Sequence, residues 1–173
     1  MASPREIRRR IRSVRNISQI TRAMEMVSAS KMRRAQQRVL ASRPYAERLQ
    51  GVIADLASLQ IGAEETARFP LLQQREITNT GVILITPDKG LTGPLNSNLL
   101  RRASRYILNE AGVPVRVIAA GRKGRDFMIR GRQDVIAEFT GLGDQVSLDD
   151  LRPIAQVAVD DFIAGRVDAV NVV

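Results

Sequence analysis

Two glycine-containing segments are the parts of the chain whose residue types could bind a phosphate group. The first, "TPDKGLTGPLNSN", covers residues 86–98 and joins an apolar strand to a helix, which is where open α/β sheets bind phosphates. It has neither the Gly-Lys-Ser/Thr ending of a P-loop nor the G-x-G-x-x-G spacing of a dinucleotide site. A tight strand-to-helix turn, with Pro94 at the helix start, explains the same pattern. We therefore predict that Asp88, Gly90 and Gly93 form a structural turn.

The second segment, "GRKGRDF", covers residues 121–127 and follows the next strand. A basic loop at a strand end could hold an anion, although such loops are more often solvated turns into a helix. The chain has no His and no Cys, which removes the usual general base and the usual zinc ligands. No pair of Asp or Glu has a recognisable catalytic spacing. The sequence thus predicts no catalytic site, no cofactor and no metal, so the chain is not expected to be an enzyme.

The positive charge of the chain lies in its N-terminal part. The net charge is +9, and residues 1–50 hold 13 Arg and Lys against three Glu, whereas the remainder is nearly neutral. If these residues form a helix, with 100° between successive residues, five arginines share one sector of its surface: Arg8, Arg12, Arg15, Arg22 and Arg33. A stripe of charge is usually a solvated face, but a solvated face normally mixes both signs. The excess of Arg therefore indicates an acidic partner.

The elements that carry these charges begin with one very long helix. Ser3 as N-cap, Pro4 at the first helical position and Glu6 form a capping box. Apolar residues then recur at helical spacing, and from Met32 onward they alternate by three and four, which predicts a heptad seam. Pro44 should kink this helix without ending it. We predict about 57 helical residues, roughly 85 Å, with a partner helix along the seam.

The remaining residues alternate between strands and helices. Strands are predicted at residues 80–86, 113–121, 134–140 and 168–173, with helices between them, and Leu95, Leu99, Ala103 and Ile107 are expected on one helix face. This order predicts a small Rossmann-like, mostly parallel sheet with helices on both faces. The fold class is α/β, with a basic coiled-coil helix at 1–61, a linker at 62–79 and the α/β domain at 80–173.

At residues 7–36 the segment "IRRRIRSVRNISQITRAMEMVSASKMRRAQ" resembles the N-terminal helix of the γ subunit of F-type ATP synthases. "ITPDKGLTGPLNSNL" and "GRKGRDF" resemble two further γ motifs, in the right order and spacing. Thr92 stands where many members have Cys, so no thiol can act there. The family continues through another strand into a long C-terminal helix, which this sequence does not contain, so we expect its α/β domain to be truncated.

The resemblance implies the central shaft of a rotary motor that couples proton flow to ATP synthesis. The implied partners are the α and β subunits of the catalytic ring, the ε subunit and the ring of membrane c subunits, with bond-making chemistry on β. The implied place is the cytoplasmic face of the bacterial cell membrane, peripherally bound, without direct membrane insertion and without nucleic acid. No signal peptide or apolar membrane span is apparent, which favours a cytoplasmic chain.

The shaft interpretation also explains why small residues and methionines share a basic helix. Small Ser28, Ala29 and Ser30 would let a partner approach closely, and flexible methionines would adapt to surroundings that change as the shaft turns. The predicted partner-binding surface consists of Arg8, Arg9, Arg12, Arg15, Arg22, Met24, Met26, Ser28, Ser30, Lys31, Met32, Arg33 and Arg34.

Three other functions fit parts of the sequence. A nucleic-acid-binding protein would use the arginines as a phosphate track, but only Tyr45 among the aromatic residues lies in the basic segment. A nucleotide-using enzyme lacks the phosphate and catalytic motifs. A membrane-surface helix lacks bulky aromatic anchors.

Overall fold

The long helix predicted at the N-terminus is present. The computed structural model describes residues 3–58, 69–143 and 145–173, and helix α1 spans Pro4–Ser58. The capping box forms, because the Ser3 hydroxyl oxygen accepts from the Arg5 N–H (3.2 Å) and the Glu6 carboxylate accepts from the Ser3 N–H (3.3 Å). Pro44 lies inside α1, which continues past it. The amide lost at proline therefore does not end the helix.

Contacts divide the chain into two compact units, Met1–Gln60 and Ile61–Val173. The predicted linker at 62–79 lies partly outside the described residues, and its described part contains a short 3-10 turn at Pro70–Leu72. The second unit contains strands and helices in alternating order: β1 (Thr80–Ile85), α2 (Leu95–Arg105), β2 (Val115–Ala120), α3 (Arg122–Arg130), β3 (Asp134–Phe139), α4 (Leu148–Ile163) and β4 (Ala169–Val172).

The four strands form one parallel sheet in the order β3-β2-β1-β4. On one face Val82, Leu84 and Val117 pack against Ala103 of α2 and Met128 of α3. On the other face the strand residues pack against α4, and the buried members of this cluster are Ile118, Ala120, Ile154 and Ala158. Alternate strand residues point to opposite faces, so a doubly covered sheet needs continuous apolar runs. The predicted parallel sheet with helices on both faces is confirmed.

Helix α2 departs from the prediction at both ends. Leu95, which we expected on the core face, is 46% exposed, and the buried residue of α2 is Ala103. Leu95 is in the first turn, immediately after the loop that leaves the carboxyl end of β1. The last turn widens to a π-helix at Tyr106–Glu110, with the Ala111 N–H donating to the Tyr106 carbonyl (2.9 Å). The widened turn places the Tyr106 hydroxyl within 2.7 Å of the Asn171 side-chain amide on β4.

A buried carboxylate joins α4 to the strands. Asp161 is 6% exposed and pairs with the guanidinium groups of Arg116 (2.5 Å) and Arg166 (2.7 Å). A charge at this depth is tolerated only when it is paired and hydrogen-bonded. Helix α4 begins with a capping box. The Ser147 hydroxyl oxygen accepts from the Asp150 N–H, and Ser147 donates to the Asp150 carboxylate.

Asp168 ties the segment that enters β4 to the segment that enters β1. One of its carboxylate oxygens accepts from the Thr78 hydroxyl (2.8 Å), the Thr78 N–H (2.9 Å) and the Asn79 N–H (3.0 Å). These hydrogen bonds, the one from the Thr78 hydroxyl first, lower the pKa of Asp168 below its ordinary value.

We expect Asp168→Asn to destabilise the α/β unit at neutral pH. A carboxylate whose folded-state pKa is lowered stabilises the fold above the unfolded-state pKa, and that stability is lost as the pH falls through the folded-state pKa. The stability difference between the original chain and the variant should therefore shrink below about pH 4. Urea unfolding at a series of pH values measures it, with exposed Glu76→Gln as the control. A difference that stays constant with pH would contradict this account.

Gly121 allows the close approach of α3 to the end of β1. Its φ is 111°, and an added Cβ would lie 1.8 Å from the Thr86 carbonyl oxygen. We expect Gly121→Ala to lower the free energy of unfolding by at least about 3 kcal/mol, or to prevent folding of the unit. Gly90→Ala is the matched control, because nothing lies within 4 Å of its added Cβ. Equal thermal melts of the two variants would show that this approach is not needed.

Candidate functional site: the basic face of the long helix and the carboxyl edge of the sheet

The predicted partner-binding residues all lie on α1, and all of them are exposed. The side chains of Met24, Met26 and Met32 are 63%, 65% and 62% exposed. The aliphatic side chains of the seam are exposed to a similar degree. Ser28 and Ser30 lie between these methionines and are exposed as well. An apolar seam, a run of small residues and a basic face are therefore all available for contact on one helix.

The arginines of this face are unpaired in the part of the chain that the structure describes. Within the described ranges, none of the seven predicted site arginines makes an ion pair or a side-chain hydrogen bond; these are Arg8, Arg9, Arg12, Arg15, Arg22, Arg33 and Arg34. Arg5, Arg8, Arg9 and Arg12 together line a cavity of about 230 Å³ on the helix surface. The basic face is thus uncompensated within the part of the chain that the structure describes.

This arrangement is unfavourable for an isolated helix. Arg5 lies in the first turn of α1, where an exposed cation opposes the helix dipole by about 0.3–1 kcal/mol. Like charges three or four residues apart, such as Arg8 and Arg12, destabilise by about 0.2–0.5 kcal/mol per pair. Glu6 is the one acidic residue in the first turn. The repeated like-charge spacing therefore lowers the stability of the isolated helix.

The carboxyl edge of the sheet holds the turn predicted at Asp88, Gly90 and Gly93. Three residues at the end of β1 satisfy the first three N–H groups of α3. Asp88 accepts from the Arg122 N–H (2.8 Å), the Pro87 carbonyl from the Lys123 N–H (3.3 Å) and the Thr86 hydroxyl oxygen from the Gly124 N–H (2.8 Å). The other Asp88 carboxylate oxygen accepts from the Gly141 N–H (2.8 Å). Asp88 therefore bridges the ends of three strands.

The turn after Asp88 is open. Leu91 and Gly93 have φ values of 60° and 58°, Leu91 is fully exposed, and Gly90 and Gly93 have no heavy atoms near an added Cβ. A cavity of about 560 Å³ lies beside this turn and is lined by Pro87, Asp88, Lys89, Arg122, Gly141, Leu142 and Gly143. The carboxylate of Asp88 occupies the helix N-terminus that a phosphate would use. This cavity is consequently poorly suited to a nucleotide.

The basic motif at 121–127 is also partly neutralised. The Arg125 guanidinium contacts the Asp126 carboxylate at 2.7 Å and the Glu138 carboxylate at 3.5 Å. The hydrogen bond from Arg125 lowers the pKa of Asp126 below its ordinary value, although both groups are partly exposed to solvent. Gly124 lets α3 approach β1, because an added Cβ would lie 2.8 Å from the Thr86 hydroxyl oxygen. The spacing of Gly121 and Gly124 is therefore explained by packing.

The sequence did not identify the bridging role of Asp88 or the pairing of Asp161. A usable signal for Asp88 was an acidic residue just after a buried strand, combined with Gly-x-x-Gly at the end of the neighbouring strand.

Among the described residues, no group of three or more His, Cys, Asp or Glu could hold a metal ion. The helices in the described ranges also include none that is long and apolar enough to cross a membrane.

Comparison with known proteins matches both the helix and the sheet. A family model described as ATP synthase covers residues 3–173. The chain is 54% identical to the ATP synthase gamma chain of Roseiflexus castenholzii over 99% of its own length and 59% of that protein. The chain belongs to the ATP synthase gamma-chain family. The gamma chains of Desulfitobacterium hafniense (51% identity, 98% of this chain, 59% of the relative) and Chloroflexus aurantiacus (48%, 100% and 60%) match similarly.

The resemblance seen in the sequence is thereby confirmed. The chain spans about three-fifths of the length of the gamma chains that it matches. Both features of the candidate site lie within the matched region, since α1 begins at Pro4 and the sheet ends at β4.

We expect no specific nucleotide at the carboxyl edge of the sheet. The Asp88 carboxylate would repel phosphate and already accepts the Arg122 N–H, and the turn lacks the Lys and Ser/Thr pair of a P-loop. Calorimetric titration with ATP, ADP and NAD at millimolar concentration should show no saturable heat. The original chain is compared with Asp88→Asn, which removes the negative charge but keeps one acceptor oxygen. This variant tests whether the charge of Asp88 is what repels phosphate. A stoichiometric site of micromolar affinity in the original chain would contradict this assignment.

Proposed function

We propose that the chain forms part of the central rotor shaft of a proton-translocating F-type ATP synthase. The observation that supports this most strongly is the basic face of α1, unpaired within the described residues and roughly opposite an exposed apolar seam, in a member of the gamma-chain family. A shaft needs a stiff element longer than a domain, and 55 helical residues give about 80 Å at 1.5 Å per residue. The seam would take a second helix of the shaft.

The shaft would turn inside the catalytic ring of α and β subunits. Arg8, Arg12 and Arg15, with Arg22 and Arg33, fall within about 80° of the helix circumference. A basic sector on one side faces different ring subunits in turn, so otherwise equivalent subunits experience unequal fields. Because salt screens exposed charges beyond about 8 Å at physiological ionic strength, this attraction acts at close contact with acidic loops of the ring.

The methionines and the small residues would serve the same rotation sterically. An unbranched thioether side chain adapts to several surroundings at small energetic cost, which suits Met24, Met26 and Met32 on a surface that meets successive partners. Ser28 and Ser30 remove bulk where a ring loop or second helix must approach. Force would therefore pass through contact and charge, while ATP is made and hydrolysed on the β subunits.

The α/β unit would have the ε subunit and the ring of membrane c subunits as partners. Its sheet would act as a rigid body, since β1 satisfies the first three amides of α3 and Asp88 bridges three loops. In this role the chain is a non-catalytic subunit without a cofactor, bound peripherally at the cytoplasmic face of the cell membrane.

Nucleic-acid binding is the second candidate, supported by the same unpaired arginines. Tyr45 is the one aromatic residue on α1, which leaves few platforms for stacking bases. Titration of the chain with DNA over a range of salt concentrations, beside titration with an isolated α/β hexamer, separates the two functions. Tighter binding to DNA than to the hexamer at physiological salt would favour this candidate.

Removal of the basic sector should weaken assembly with the ring. The test uses the chain extended by the C-terminal segment of the Roseiflexus castenholzii relative, with Arg8, Arg12, Arg15, Arg22 and Arg33 all replaced by Gln. At roughly 0.3–1 kcal/mol per exposed charge, hexamer affinity should fall about tenfold or more. ATP-driven proton pumping in vesicles should fall with it, while the thermal melt of the α/β unit stays unchanged.

The matched control removes five exposed arginines from the α/β unit instead: Arg101, Arg105, Arg130, Arg132 and Arg152. This variant has the same net charge, so a general charge effect would appear in both. Unchanged pumping in the stripe variant, or an equal loss in the control, would remove the basic sector from the proposed mechanism.

A further inference from the structure

Met26 differs from the other methionines of α1 in the side of the helix on which it lies. Along the chain it stands between Arg22 and Arg33. At 100° per residue it falls near the centre of the arc of about 80° that holds the five arginines of the basic sector. The seam residues from Met32 to Leu56 all lie at least about 120° away from it around the helix. Met26 is therefore an apolar residue in the middle of the basic sector.

Met24 is the matched comparison for Met26, because the two side chains are almost equally exposed on α1, at 63% and 65%. Met24 lies about 160° from Met26 around the helix, within the arc of the seam. The second helix that the proposed function places on the seam would therefore shield Met24 and leave Met26 uncovered. Met128 gives a buried reference, since it is 1% exposed in the core of the α/β unit.

An uncovered thioether is open to oxidation by hydrogen peroxide. A sulfur lone pair attacks one peroxide oxygen, so that an S–O bond forms as the O–O bond breaks. The hydroxide that leaves takes the proton of the transferred oxygen and becomes water. The sulfur loses two electrons and the peroxide gains them. The product is a polar, chiral sulfoxide, and methionine sulfoxide reductases restore the thioether while a dithiol is oxidised to a disulfide.

We propose that Met26 is a site of reversible oxidation by peroxide on the basic face of the shaft. Arg22 lies one helical turn before Met26, within reach of its side chain. The oxygen of the sulfoxide carries partial negative charge, and the Arg22 guanidinium, which has no partner within the described ranges, would donate to it. Oxidation would thus remove one adaptable apolar side chain and engage one cation of the sector.

The effect of this oxidation on the catalytic ring rests on the proposed rotor function. The order in which the methionines are oxidised rests only on which face of α1 the second helix covers. Because the surroundings of the shaft change as it turns, contacts with the ring would not cover Met26 permanently. The two consequences are therefore tested separately.

Peptide mapping by mass spectrometry measures the order of oxidation. The chain, extended by the C-terminal segment of the Roseiflexus castenholzii relative, is treated with dilute hydrogen peroxide. Each rate is divided by the rate at the same methionine in urea. We expect Met26 to be oxidised at least about fivefold faster than Met24, and Met128 to be oxidised slowest, because susceptibility follows exposure. Equal relative rates at Met24 and Met26, or a faster rate at Met24, would overturn the proposal.

Binding to an untreated α/β hexamer measures the consequence, with the extended chain oxidised before assembly. Oxidation should weaken binding at least about threefold, and methionine sulfoxide reductase should restore it. Met26→Leu keeps apolar bulk but cannot form a sulfoxide, so peroxide should not change the affinity of this variant. Met24→Leu is the matched control, and its affinity should still fall after oxidation.

Unchanged affinity of the oxidised original chain, or an equal loss in the two leucine variants, would overturn the role of Met26. Failure of the untreated extended chain to bind the hexamer would count against the rotor function instead. In that case the order of oxidation still decides whether Met26 is the oxidised site.

Discussion

A single helix cannot bury its own apolar side, and this constraint governs the N-terminal unit. Helix α1 carries an aliphatic or methionine residue about every third or fourth position over 55 residues, and these side chains are about half to two-thirds exposed. Stability of such a helix comes mainly from packing by a partner. The capping box and good local spacing define where the helix starts and continues, but they do not cover the seam. The length, the charges and the small residues of α1 are therefore best understood as the surface of an assembly.

The α/β unit has the opposite character, because its polar groups are satisfied internally. The end of β1 provides the acceptors for the start of α3, and Asp88 extends the same network to the loop after β3. A Rossmann-like sheet usually leaves these donors for a phosphate. Here a carboxylate of the chain takes that place, so the fold alone does not imply a bound phosphate in this unit.

Patterns local in sequence were predicted well, and contacts between distant residues were not. The start of α1, its capping box at Ser3, four strands and helices on both faces all follow from spacing over a few residues. Asp88 meets Gly141 across 53 positions and Asp161 meets Arg116 across 45, so no local pattern reveals either contact. The π-helical turn and the exposure of Leu95 depend on where α2 lies over the sheet. For the candidate site, the sequence supplied the charges and their sector, and the structure added that the arginines have no partner within the described residues.

The position of β4 has a consequence for how the sheet forms. β1 pairs with β2 at a separation of 35 residues, whereas Thr80 pairs with Ala169 across 89 residues. Closing the longer loop costs more conformational entropy. We therefore expect β1, β2 and β3 to assemble with α2 and α3 before β4 docks. We expect the amide protons of β4 to exchange with solvent ahead of those at the centre of β1.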